Sequence, residues 1–185
     1  MLILVTGLAL FILPHFLREF GVREKLRTRL GVPLYMGLFT LATVSAIVLM
    51  VIGMGRAGFV QLWQPVYQLR YISMMAMIPA CLLIVAGNVP AGFIRKELHH
   101  PMLIGVCLWG AAHLWANGDL ASALLFGSLL LWAGAKIFSL SKLSSASSRP
   151  PNIFWDVISF VVGLALYSAL FVGHGLLTGV QLSLS

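Results

Sequence analysis

Apolar residues fall into six long stretches, separated by short connections that carry most of the charge and many of the prolines. A helix rises about 1.5 Å per residue, so about 20 apolar residues are needed to cross the core of a bilayer. The pattern therefore predicts an all-α fold, a polytopic membrane helical bundle of about six transmembrane helices. The first and fourth stretches are short for a span. The six stretches cover about residues 2–17, 33–55, 71–92, 101–116, 120–138 and 153–180.

Turn-forming residues support the boundaries between these stretches. Gly31-Val32-Pro33 opens the second stretch and His100-Pro101 opens the fourth, since proline is tolerated in the first turn of a helix. Asn117-Gly118-Asp119 predicts a tight turn between the fourth and fifth. The sequence has no convincing internal repeat, and its length suits one domain, so we expect a single integral membrane domain over residues 1–185.

The composition excludes a soluble protein. Hydrophobic residues make up 60% of the chain and charged residues 9%, whereas a soluble domain carries about 25% charged residues. Cys81 and Cys107 both lie inside apolar stretches and have no metal-binding spacing. We therefore expect neither a disulfide framework nor a zinc site.

The net charge of +7 marks membrane orientation rather than nucleic-acid binding. Ten of the 12 Lys and Arg residues lie in the first, third and fifth connections or, for Lys136, in the last turn before one, and only Arg56 and Arg70 lie in the others. Basic residues flank membrane helices on the cytoplasmic side. The distribution predicts that both termini are non-cytoplasmic, most simply in a bacterial inner membrane, with the lipid bilayer and not nucleic acid as partner.

Five histidines are the main chemical signal in so apolar a chain. They are His15, His99, His100, His113 and His174. Ionisable residues at membrane depth are candidates for function, and imidazole is a common haem or metal ligand. Interfacial positions at helix ends, or hydrogen-bonded packing, are the structural alternatives for each of them.

Helical phase groups some of these residues. Trp109, His113 and Asn117 are spaced by four, so they share a face, and Asn117 is placed to orient the His113 ring. In the last stretch Asp156 and His174 lie on one narrow polar stripe that also includes Gly163 and Tyr167. Simple interhelical hydrogen bonding is the alternative explanation of that stripe.

Three stretches together resemble a known family. They are His99-His100-Pro101-Met102 with Gly105, the sequence His-Leu-Trp-Ala-Asn-Gly-Asp-Leu-Ala-Ser over 113–122, and Pro14-His15-Phe16-Leu17. The chain resembles the NnrU family of membrane proteins over essentially its whole length. The 113–122 stretch is the most specific part of the likeness.

The resemblance implies a role linked to denitrification and nitric oxide metabolism. It also implies kinship with plant 15-cis-ζ-carotene isomerase, a membrane enzyme that uses haem b. Carried over from that relative, His15 and His113 are the implied ligands of the haem iron, with His100 as a further candidate. The relative has a cysteine three residues before the second histidine, where this chain has Gly110. The family's usual arginine before His-Pro is His99 here.

Helix depth argues for other histidine pairs. At 1.5 Å per residue, His15 lies about 4.5 Å from the cytoplasmic boundary and His113 about 18 Å from the same side. If only the depth of each histidine along its helix is compared, His15 pairs with His99–His100 and His113 pairs with His174. The resemblance pairs His15 with His113, and both alternatives stay open.

Three functions follow from the sequence, and it does not decide whether the protein is an enzyme. The favoured one is an NnrU-like protein that binds haem b through buried histidines, with a redox or isomerase activity and an apolar or small-gas ligand. A non-enzymatic membrane assembly or transport factor is the alternative. A membrane methyltransferase that uses S-adenosylmethionine is less well supported. His100-Pro101-Met102-Leu103 resembles the motif of such enzymes, but their downstream glutamate pair is missing, since no glutamate follows Glu97.

Overall fold

The computed structural model describes residues 1–66, 68, 70–142, 150–178 and 182. Those residues form helices throughout, without a β-strand. In chain order the helices are α1 (Leu2–His15), α2 (Val22–Leu30), α3 (Val32–Gly55), α4 (Arg70–Asn88), α5 (Phe93–Leu98), α6 (Pro101–Ala116), α7 (Leu120–Ser141) and α8 (Ile153–Thr178).

Each of the six predicted apolar stretches forms a helix. α4 ends at Asn88, four residues before the predicted boundary. The reason is Pro90, because the residue before a proline is driven away from helical geometry. Predicted residues 179–180 of the last stretch lie outside the described residues. The short helices α2 and α5 were not expected; both are polar and have no buried residue.

Four helices in the described part of the chain are long and apolar enough to cross a membrane: α3, α4, α7 and α8. α1 and α6 are apolar but shorter, with 14 and 16 residues. Large apolar side chains are exposed along the long helices, as lipid-facing residues are. The prediction of an all-helical membrane protein is therefore confirmed at this level, whereas six spans and non-cytoplasmic termini stay predictions.

The chain divides into two compact units, which are described separately. Unit 1 holds residues 1–63 and 119–128, and unit 2 holds residues 64–118 and 129–185. In unit 1 the first turn of α7 is fixed to the segment after α3, because the Leu120 N–H donates to the Val60 carbonyl at 2.8 Å. A single domain over the whole chain stays a prediction.

Unit 1 is built on close contact between α1 and α3. A Cβ added at Gly7 would lie 2.8 Å from the backbone nitrogen of Met50, and one at Gly53 would lie 2.6 Å from the Cα of Leu4. Such distances are shorter than real Cβ contacts allow. The two backbones therefore touch only because both positions are glycine, as in small-residue packing between membrane helices.

Unit 2 is built around α4, which packs against α6 on one side and α8 on another. A Cβ at Gly105 of α6 would lie 2.8 Å from the Ala80 carbonyl oxygen. A Cβ at Gly163 of α8 would lie 2.8 Å from the Cα of Leu82. Both neighbours therefore approach the backbone of α4 at glycine positions.

Asp156 in the first turn of α8 joins α8 to the start of α5 at one end of unit 2. Its carboxylate accepts hydrogen bonds from the backbone N–H groups of Phe93 at 2.8 Å and Ile94 at 3.1 Å, which begin α5. A Cβ at Gly92 would collide with the same carboxylate, so a larger residue there would displace the Asp156 side chain. The connections α4–α6 and α7–α8 therefore lie at the same end of unit 2.

We expect Gly53→Ala to destabilise the protein, because the new methyl group must push the Leu4 backbone away. Overpacking of this kind costs about 1–3 kcal/mol. The matched control is Gly37→Ala in the same helix, where a Cβ meets nothing within 4 Å. The measurement is the thermal unfolding midpoint in mild detergent. Equal midpoints for the two variants would contradict the packing described above.

We expect Asp156→Ala to lower the thermal midpoint more than Asp156→Asn, which keeps one acceptor oxygen. Charge-assisted hydrogen bonds to backbone N–H groups contribute about 1.5–3 kcal/mol. Glu24→Gln is the control, because Glu24 makes an exposed ion pair with Arg27 at 3.1 Å, and exposed pairs contribute little. An Asp156→Ala midpoint equal to that of the control would show that the carboxylate does not stabilise this end of unit 2.

Candidate functional site

His15, the last residue of α1, lies among aromatic rings in unit 1. Its Nδ1 donates to the Phe11 carbonyl oxygen at 2.6 Å. The imidazole stacks on the Phe11 ring with centroids 4.3 Å apart and lies 4.9 Å from the Phe39 ring of α3. A carbonyl oxygen only accepts hydrogen bonds, so the proton of neutral His15 is on Nδ1 and the lone pair is on Nε2.

His113 in the last turn of α6 has the same local arrangement in unit 2. Its Nδ1 donates to the carbonyl oxygen of Trp109, four residues earlier, at 2.8 Å. The centroids of the two rings are 5.1 Å apart. His113 is half-buried. As in His15, the lone pair is on Nε2, the arrangement typical of metal-ligating histidines whose other nitrogen is held by a carbonyl.

Asn117 does not orient the His113 ring in the way that the four-residue spacing predicted. Its side-chain amide donates to the backbone carbonyl of His113 at 2.8 Å, and its backbone N–H donates to the same oxygen at 2.9 Å. Asn117 is the C-cap residue of α6. The side chain ends the helix, and the carbonyl of Trp109 fixes the ring.

His100 lies at the opposite end of α6 from His113. Thirteen residues separate them, which is about 20 Å along the helix axis at 1.5 Å per residue. The Nε2 atom of His100 is buried and has no hydrogen-bond partner among the described residues. His99 before it is exposed and has a positive φ of 58°, an uncommon conformation for a residue other than glycine.

The four predicted site residues therefore fall in both units. His113 and Asn117 adjoin in unit 2, His100 lies far from them on the same helix, and His15 belongs to unit 1. The pairing of His113 with His174 by helix depth, like the pairing of His15 with His113 by resemblance, stays a prediction.

The four long apolar helices define the class: a helical integral membrane protein. The family model described as NnrU protein matches residues 3–182, nearly the whole chain. The chain therefore belongs to the NnrU family. No curated protein and no solved structure matches it significantly.

We expect the stability of the protein to fall as the pH decreases through about 6.5, in part because of His100. The pKa of His100 lies below its ordinary value, because burial disfavours the imidazolium and the nearby His99 adds repulsion. As the pH falls below about 6.5, His100 binds a proton in the unfolded chain before it does so in the folded chain. The contribution of neutral His100 to stability is therefore complete above that pH and is lost as the pH falls below it.

The measurement is the thermal midpoint at about pH 7.5 and about pH 5.5, on either side of the ordinary histidine pKa. His100→Gln should reduce the difference between the two midpoints. His99→Asn should reduce it less, because it removes only the repulsion and retains the buried imidazole. An unchanged difference in His100→Gln would assign the pH dependence to other groups.

Proposed function

We propose that this NnrU-family protein binds haem b in a bacterial inner membrane and acts in nitric oxide metabolism linked to denitrification. The family membership supports the class of protein. The observation that carries the haem proposal is the state of His113, whose Nδ1 proton is held by a backbone carbonyl so that Nε2 keeps its lone pair. The link to nitric oxide rests on the family resemblance.

The side chains present suit a haem better than a bare metal ion. The part of the chain that the structure describes contains no group of three or more His, Cys, Asp or Glu residues that could hold a metal ion. A tightly bound ion such as zinc needs about three or four protein ligands. A porphyrin supplies four nitrogen ligands itself, so one or two imidazoles are sufficient.

His113 would provide an imidazole to the haem iron, and the Trp109 carbonyl would hold that ring in orientation and raise its basicity. When bound, the haem supplies an iron centre that exchanges electrons and binds diatomic gases. His15 has the same Nδ1 arrangement and is the second ligand that the resemblance implies.

We expect the full-length protein, expressed with ample haem and purified in mild detergent, to show a Soret band. His113→Ala should lower haem affinity by at least about tenfold, the loss typical even of a residue that only supports a ligand. His99→Asn is the control, because His99 is exposed and is not one of the proposed haem ligands. Nitric oxide added to the reduced protein should shift the band.

Two outcomes would contradict the proposal. One is a correctly folded protein without a Soret band after haem-replete expression. The other is a band whose intensity is the same in wild type, His113→Ala and His99→Asn. Either outcome would favour the assembly or transport factor that the sequence also allows.

A further inference from the structure

The polar helix α2 is attached to the start of a membrane span. α3 begins at Val32, two residues after α2 ends at Leu30. The 24 residues of α3 rise about 36 Å, more than the roughly 30 Å of a bilayer's hydrocarbon core. Between the two helices Gly31 has a φ of 77°, which favours glycine, so α2 is a separate helix and does not extend the span. It is therefore held at a surface of the membrane.

α2 has one narrow apolar face. Val22, Leu26 and Leu30 are spaced by four, so at about 100° per residue they cover about 80° of its circumference. Val22 and Leu26 are half-buried, whereas Leu30 is 40% exposed. Phe20, just before the helix, is 71% exposed. Exposed apolar side chains beside so many charges are typical of a helix that lies in the membrane interface with its apolar side against the acyl chains.

Basic residues border this apolar face on both sides, each pair beginning about 20° from it. The pairs are Lys25 with Arg29 on one side and Arg23 with Arg27 on the other. The acidic residue Glu24 lies on the opposite side of the helix. Lys and Arg at such a border lay their aliphatic stems along apolar surface and keep their charges at the level of the lipid headgroups.

Two of these cations are free of protein partners among the described residues. Arg27 forms an ion pair with Glu24 at 3.1 Å. Lys25 and Arg29 are exposed and make no hydrogen bond or ion pair with another described residue. Residues 18–30 carry five Lys or Arg and two Glu, which leaves a charge of +3. The complementary partner is an anion, and the anions at a membrane surface are phospholipid headgroups.

We propose that α2 lies in the headgroup layer of the membrane and binds anionic phospholipids, whose phosphates pair with Lys25 and Arg29. The apolar face of the helix sits against the acyl chains of the same lipids. This inference is independent of the proposed haem function. It follows from the arrangement of charges around α2 and from the attachment of α2 to a span.

The test is native mass spectrometry of the full-length protein in mild detergent, titrated with phosphatidylglycerol or with zwitterionic phosphatidylcholine. The readout is the apparent dissociation constant of the first bound lipid. We expect wild type to bind phosphatidylglycerol more tightly, and added salt to weaken this preference. The double variant Lys25→Gln/Arg29→Gln should lose at least about fivefold in phosphatidylglycerol affinity, the effect of one basic residue near an anionic surface.

The matched control is Lys96→Gln/Lys142→Gln, which removes the same amount of charge at exposed positions outside α2. It should retain the affinity, and so should Lys25→Arg/Arg29→Lys, which keeps both charges. Thermal unfolding confirms that each variant is folded.

Three results would overturn the inference. One is equal affinity of wild type for the two lipids. Another is an equal loss in the α2 variant and the matched control, which would assign binding to net charge alone. The third is displacement of phosphatidylglycerol by inorganic phosphate at equal concentration, which would make α2 a site for a soluble anion.

Discussion

Direct contact between the backbone of α4 and those of its two neighbours is the constraint on which the geometry of unit 2 depends. Glycines at 87, 105 and 163 remove the side chains that would otherwise separate the helices. Lipid gives little hydrophobic drive for helix association, so close van der Waals contact has to supply it. The same contacts set the axial register, and the register decides which residues of α6 and α8 lie at the same depth.

Local hydrogen bonds set the state of each imidazole within its own helix. The ring of His113 is fixed by a hydrogen bond from Nδ1 to the Trp109 carbonyl oxygen, four residues earlier. The ring of His15 is fixed by the same bond to the Phe11 carbonyl oxygen. The local bond sets the tautomer, and the packing of the helix sets the position of the ring.

The sequence predicted the six apolar helices well, because the length of an apolar stretch is a direct consequence of the thickness of a bilayer. It missed α2 and α5, which are polar and short and carry no such signal. The hydrogen-bond partner of the Asn117 side chain was also predicted wrongly. On a helix, a spacing of four residues places a side chain equally near the ring and the backbone carbonyl of the earlier residue.

The hydrogen bonds of Asp156 have a consequence for the order of assembly. The first N–H groups of α5 are satisfied by a carboxylate that follows them by 63 and 62 residues. During synthesis these N–H groups have no acceptor until two further helices, α6 and α7, and the start of α8 have been made. The connection between α4 and α6 therefore reaches its final conformation late, when the last helix inserts. Truncating the chain before α8 would leave this end of unit 2 unfinished, even though every residue of the connection had been made.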